Sequence, residues 1–251
     1  MAACNACSEA LVFRPDDDGD DIEQGGAVEV PDDLELPCGC HFHWQCLLDE
    51  AATIALSLKC PNCETYLPSN DAGPSATSPL SPSPEAAILA QYKNEGGFQP
   101  DLDILPAITE EAYLNSHPEA RPARAFQTMC SEGDVDGIVE LLAAVDGDNE
   151  SVISVIQYQD PLSGMKSGLH MAIEQGQVEV TMLLLWLSST VPSNSFPEPA
   201  RRVAEASGVG RIPVGPDQDI RVLKDSTGQT AKDVARRLEG PWLGYLDGGL
   251  L

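Results

Sequence analysis

Seven cysteines and one histidine in the first 63 residues form the part of this chain best suited to chemistry. They fall in pairs: Cys4 with Cys7, Cys38 with Cys40, His43 with Cys46, and Cys60 with Cys63. In a C-x2-C pair a tight turn aims both sulfurs at one ion. The four pairs together supply seven thiolates and one imidazole, enough for two four-coordinate Zn²⁺ ions. Zinc suits this donor set because it is tetrahedral, borderline soft and without redox chemistry that would damage thiolates. Each set of ligands closes on itself and leaves no position for an activated water, so the zinc is expected to be structural and not hydrolytic. No residue here is assigned to covalent catalysis, and no organic cofactor is implied.

The segment LPCGCHFHWQCLL, residues 36–48, followed by Cys60-Pro61-Asn62-Cys63, resembles the RING finger family. That resemblance covers about a quarter of the chain and implies an interleaved ligand set. Cys4, Cys7, His43 and Cys46 would hold the first zinc; Cys38, Cys40, Cys60 and Cys63 would hold the second. The family most often has His where this chain has Cys40, and His41 follows directly. Cys40 keeps the family's spacing and is preferred; His41 is the alternative ligand. The resemblance further implies a ubiquitin ligase that docks a ubiquitin-conjugating enzyme and works by positioning, without covalent chemistry of its own. The docking helix would lie in residues 47–59, which offer Leu47, Leu48, Ile54, Leu56 and Leu58, some of them needed for core. Two residues depart from the active pattern. Ala6 replaces a bulky aliphatic before the second ligand. Glu64 replaces a basic donor after the last ligand, and an ionised Glu cannot donate.

The elements that must position these residues give the chain its layout. Residues 1–67 are expected to form a small zinc-stabilised α+β finger. Residues 68–84, PSNDAGPSATSPLSPSP, are Pro/Ser-rich and read as an extended flexible linker. Residues 68–120 as a whole are taken as linker with short helices. One is expected in EAAILAQYKNEGG, stopped at Gly96 and Gly97, and another in ILPAITEEAYLNSHPEA, with Thr109 as its cap. Residues 121–251 carry helical patterns. SGLHMAIEQGQVEVTMLLLWL, residues 167–187, resembles the ankyrin repeat, matching at Leu169, His170, Ala172, Gly176, Val180, Leu184 and Leu185. AFQTMCSEGDVDGIVELLA, residues 125–143, resembles an earlier copy with its turn at Gly133. DSTGQTAKDVA, residues 225–235, resembles the start of a later one, and ARRVAEASGVG a degenerate one. The two turn glycines lie 43 residues apart, against about 33 in regular repeats. The C-terminal part is therefore expected to be an all-α, ankyrin-like repeat domain that binds a protein substrate or partner. His170 is expected to satisfy backbone groups, Cys130 to be a buried apolar residue, and Trp186 to be core or solenoid face.

Charge and composition exclude other classes. The net charge is −26, with 14 basic against 40 acidic residues. Nucleic acid and anionic membranes are excluded as partners on that ground. The acidic run Asp16–Glu23 lacks the Glu that a calcium loop needs and reads as a solvated loop. No run of 18 apolar residues exists, and the start MAACNACSEALVF is not secretory, so a cytoplasmic or nuclear location is expected. No G-x-S-x-G, P-loop or G-x-G-x-x-G is present. The alternative to a ligase is a non-catalytic interaction scaffold that uses zinc only as a staple.

Overall fold

A computed structural model describes residues 3–13, 29–69, 86–145, 149–198, 201 and 210–251. It shows a small cysteine-rich N-terminal region followed by a helix-rich region with some sheet. The residues divide into two compact units, Met1–Pro118 and Glu119–Leu251. The acidic run and most of the Pro/Ser stretch and of ARRVAEASGVG lie outside the described residues.

In the N-terminal unit, β1 (Val12–Phe13) pairs antiparallel with β2 (Val30–Pro31). A second sheet has the order β4-β3-β5-β6 and is antiparallel throughout. Its strands are β3 (Asp33–Glu35), β4 (His41–Phe42), β5 (Leu89–Asn94) and β6 (Gly97–Asp103). Helices α1 (Trp44–Leu48), α2 (Ala51–Ser57) and α3 (Leu105–Ser116) complete the unit. Leu34, Phe42, Leu47, Ile54 and Leu58 share one buried core with Ile88, Ala90, Ile104 and Ile108.

That shared core corrects the reading of residues 86–116. The expected helix in EAAILAQYKNEGG is a strand, β5, and Gly96 and Gly97 turn it into β6. Burial decides the matter: Ile88 and Ala90 are buried, Tyr92 is half-buried, and Leu89, Gln91 and Lys93 face out. This is a period of two, which only a strand can satisfy, and it overrides the helix-forming Ala, Gln and Lys. The second expected helix exists as α3, but Thr109 does not cap it. Thr109 lies inside the helix and donates to the Leu105 carbonyl at 2.8 Å. Asp103 does the capping, accepting from the N–H of Leu105 at 3.1 Å and of Ile88 at 3.0 Å. Leu67 and Ile88 flank the Pro/Ser stretch and sit in the same core. The stretch therefore leaves and re-enters one unit and does not join the two.

In the C-terminal unit, helices come in pairs. They are α4 (Arg121–Glu132) with α5 (Val135–Ala144), α7 (Gly168–Glu174) with α8 (Val178–Ser188), and α9 (Ala231–Leu238) with α10 (Trp242–Asp247). Gly133, Gly176 and Gly240 make the three turns at φ of +86°, +76° and +61°, where a Cβ is strained. The first helices stack in series, α4 on α7 and α7 on α9. An extra helix, α6 (Asn149–Ile156), lies between the first two pairs and accounts for their long spacing. One core runs through the unit, including Phe126, Ile138, Leu169, Leu184, Val234 and Trp242. At Gly168 a Cβ would stand 2.8 Å from Phe126 Cε1 and 2.9 Å from Cys130 Sγ. The absence of a side chain there is what lets α7 approach α4.

Cys130 is fully buried among these apolar neighbours, and burial pushes its thiol well above the ordinary range. Trp186 is buried too, edge-on to Phe196 at 5.4 Å. His170 is the only histidine of this unit. Its Nδ1 accepts from the Ser167 N–H at 3.3 Å and faces the Ser167 hydroxyl at 2.8 Å, and its Nε2 donates to the Gln229 carbonyl at 3.1 Å. This is a neutral tautomer tying one helix pair to the next. Burial holds its pKa below the ordinary 6.5. As the pH falls through about 6.5 the unfolded chain takes up a proton that the folded chain refuses. Stability of this unit should then decline by up to about 1.4 kcal/mol per pH unit. Urea unfolding of the full chain between pH 7.5 and 5, read on the C-terminal unit, checks this; a His170→Gln chain should show a shallower decline there, and an unchanged slope would refute it.

Candidate metal centre

Each C-x2-C pair sits in a turn closed by a short antiparallel bridge, Ala3 with Ala10 and Lys59 with Tyr66. The two turns share a backbone device. Ser8 and Glu64 each follow the second Cys at positive φ, 66° and 56°, and donate their N–H to the first Cys carbonyl. Cys38 and Cys40 flank Gly39, whose φ of +79° bends the chain so that the Leu36 N–H reaches the Cys40 carbonyl. His43 stands immediately before α1, and Cys46 lies within it.

These local turns are brought together from across the unit. The donor atoms of Cys4, Cys7, His43 and Cys46 all lie within 4.8 Å of one another, as do those of Cys38, Cys40, Cys60 and Cys63. The chain order is thus first, second, fifth and sixth ligand in one group, and third, fourth, seventh and eighth in the other. Two Cys/His groups could each hold a metal ion, an arrangement consistent with a zinc finger. Sulfurs around a tetrahedral zinc stand about 3.8 Å apart. His43 Nδ1 is 3.3 Å from Cys7 Sγ and 3.7 Å from Cys46 Sγ. Its other nitrogen, Nε2, donates to the Ala10 carbonyl at 2.8 Å. That bond leaves the Nδ1 lone pair free to face the sulfurs, the orientation a metal-binding imidazole needs. The donor set therefore fits zinc.

Electrostatics make the same point. Burial raises the Cys4 thiol, but backbone N–H groups of Cys7, His43 and Ala6 outweigh it and hold the thiol at about 7. Hydrogen bonds from Thr65 lower Cys63 to about 6. Burial and the neighbouring sulfurs raise Cys38 and Cys46 to about 12. The three thiols of the first group and the four of the second cannot all ionise at such close range unless a cation neutralises them.

His41 is turned elsewhere. It lies in β4 with Nδ1 2.7 Å from Asp33 Oδ1, while Cys40 is the residue in the second group. Around the ligands are partners that no motif signals. Asn62 Nδ2 donates to Cys40 Sγ at 3.3 Å, and Cys63 Sγ lies 3.2 Å from Thr65 Oγ1. Asp32 accepts from the Trp44 N–H at 3.0 Å. Of the apolar residues offered by 47–59, Leu47, Ile54 and Leu58 are core, and Leu56 is 56% exposed. Ala6 and Glu64 are exposed, and Pro61 is half-buried. Among the described residues, no helix is long and apolar enough to cross a membrane. Comparisons with protein-family models, with curated proteins and with solved structures return no match.

Proposed function

We propose that this chain is a RING-type, two-zinc ubiquitin ligase whose C-terminal helix pairs act as an ankyrin-like adaptor for a protein substrate. The observation that carries the reading is the interleaving of the ligand groups, first, second, fifth and sixth against third, fourth, seventh and eighth. Zinc would be held by Cys4, Cys7, His43 and Cys46 and by Cys38, Cys40, Cys60 and Cys63. Bound there, it supplies structural charge neutralisation and no bond-making chemistry. The residues left for a conjugating enzyme are those outside the core: Ala6 on the first turn, Leu48 at the end of α1, Leu56 on α2, and Pro61 within the last pair. The C-terminal unit supports the adaptor role through its serial stack of first helices, its glycine turns, and the Ser167–His170 contacts that bridge to the next pair. A cytoplasmic or nuclear location belongs to the same proposal.

Exposed Ala6 and Glu64 favour a second reading, a scaffold that binds proteins without transferring ubiquitin. Autoubiquitination of the zinc-loaded chain with a panel of conjugating enzymes separates the two. The ligase reading expects product with at least one enzyme. Leu56→Ala should reduce it about tenfold, the loss of one apolar contact worth roughly 1.4 kcal/mol. Glu64→Arg should increase it by restoring a donor beside the last ligand. No product from a folded, two-zinc chain with any enzyme would leave the scaffold reading.

A further inference from the structure

The first metal group depends on a very short helix. Of its four residues, His43 occupies the position just before α1, and Cys46 lies one turn inside it. A helix of five residues has little stability of its own. The usual remedy is a side-chain cap on the first-turn N–H groups. His43 makes no such bond, because its ring is committed to the sulfurs and to Ala10.

The cap comes from elsewhere in the unit. Asp32, between β2 and β3, accepts the Trp44 N–H on Oδ1 at 3.0 Å. The same oxygen accepts the Tyr92 hydroxyl at 3.1 Å, from a residue 60 positions later in the chain. Tyr92 is placed by strand register, since β5 pairs with β3 so that Tyr92 lies opposite Leu34. Its ring packs on Trp44 at a centroid distance of 5.2 Å. Burial and then the Asp32 charge push the phenol up to about 12, so it remains a donor near neutral pH. The Asp32 N–H in turn donates to the Leu11 carbonyl at 3.1 Å, beside the turn that carries Ala10.

We propose that Asp32 and Tyr92 are positioning residues of the first metal centre: together they hold the start of α1, and with it His43 and Cys46, in ligand geometry. This rests on the metal-binding reading above. The second group takes no ligand from α1, so the effect is confined to one site. Outer partners of metal ligands commonly govern affinity by 10- to 100-fold, and the hairpin of β5 and β6 thereby becomes part of the centre.

The test uses the full chain loaded with Zn²⁺, with release into excess chromogenic chelator followed in time. A parallel series with Co²⁺ assigns the phases, because a Cys3His centre and a Cys4 centre absorb differently. Tyr92→Phe and Asp32→Ala should speed release from the Cys3His site about tenfold and leave the Cys4 site unchanged. Asp32→Asn keeps an acceptor oxygen and should fall between them and the parent. Unchanged Cys3His release in Tyr92→Phe and Asp32→Ala, or equal acceleration at both sites, would overturn the positioning role. A parent chain that binds neither Zn²⁺ nor Co²⁺ would instead overturn the metal reading itself.

Discussion

Removing metal from both sites should unfold the N-terminal unit as a whole, including the β5–β6 hairpin and α3, and leave the C-terminal unit folded. The core explains the extent. Ile88, Ala90, Ile104 and Ile108 pack against Leu34, Phe42, Leu47 and Ile54, so no part of that unit keeps a core once the ligand turns open. The magnitude explains the completeness. Binding of a structural zinc is worth about 10–16 kcal/mol near neutral pH, against a net stability of about 5–15 kcal/mol for a whole domain. Without metal, the fold would also have to keep crowded thiols protonated or bear their repulsion. Two zinc per chain are expected by elemental analysis, and Cys60→Ser should lose about one. Circular dichroism after chelation should show a partial loss of structure. Hydrogen exchange should place that loss before residue 118 and leave protection in α7, α8 and α9. Persistent protection of α3 in metal-free protein would refute this coupling.

Asp160→Ala should destabilise the C-terminal unit by about 3–5 kcal/mol, the usual cost of leaving half of a buried ion pair. The Asp160 carboxylate is fully buried and pairs with the Arg124 guanidinium of α4, which is itself largely buried. Its Oδ1 also accepts the Leu162 N–H at 2.9 Å, and its backbone bridges to Lys166. One side chain thus anchors the turn entering α7 to the helix against which α7 packs. Asp225 does a similar job before α9, accepting from the N–H groups of Thr227 and Gln229. Adding Arg124→Met to Asp160→Ala should recover part of the loss, because the largely buried cation that faced the carboxylate is then gone. Urea unfolding of the parent and the two variants measures this; a loss below about 1 kcal/mol in Asp160→Ala would show the pair to be incidental.

Some of this molecule is local, and local features are legible in a sequence. C-x2-C spacing points to a turn because a tight turn over four residues sets the two sulfurs side by side. Gly133 and Gly176 announce helix turns because the left-handed backbone there disfavours a Cβ. The apolar face of residues 180–187 announces a buried helix. Tertiary structure decided the rest. Residues 86–94 contain good helix formers, yet 89–94 form a strand because β3 offers an edge and the core accepts every second side chain. Asp103 displaces Thr109 as the cap of α3 because it reaches both chain directions at once. His41 and Cys40 are neighbours in sequence, yet His41, in β4, turns to Asp33 while Cys40, just before the strand, joins the other sulfurs.

The opening cluster of seven cysteines and His43 therefore divides into two kinds of information. Which residues could donate to a metal was readable by itself, since ligand chemistry is a property of residue type. Their support was not: Asp32 and Tyr92 are 60 residues apart and belong to no motif, and only strand pairing makes them neighbours. The same holds for the boundary of the N-terminal unit. A Pro/Ser stretch looks like a junction in one dimension, but a unit ends where burial ends, and here the buried face continues through α3.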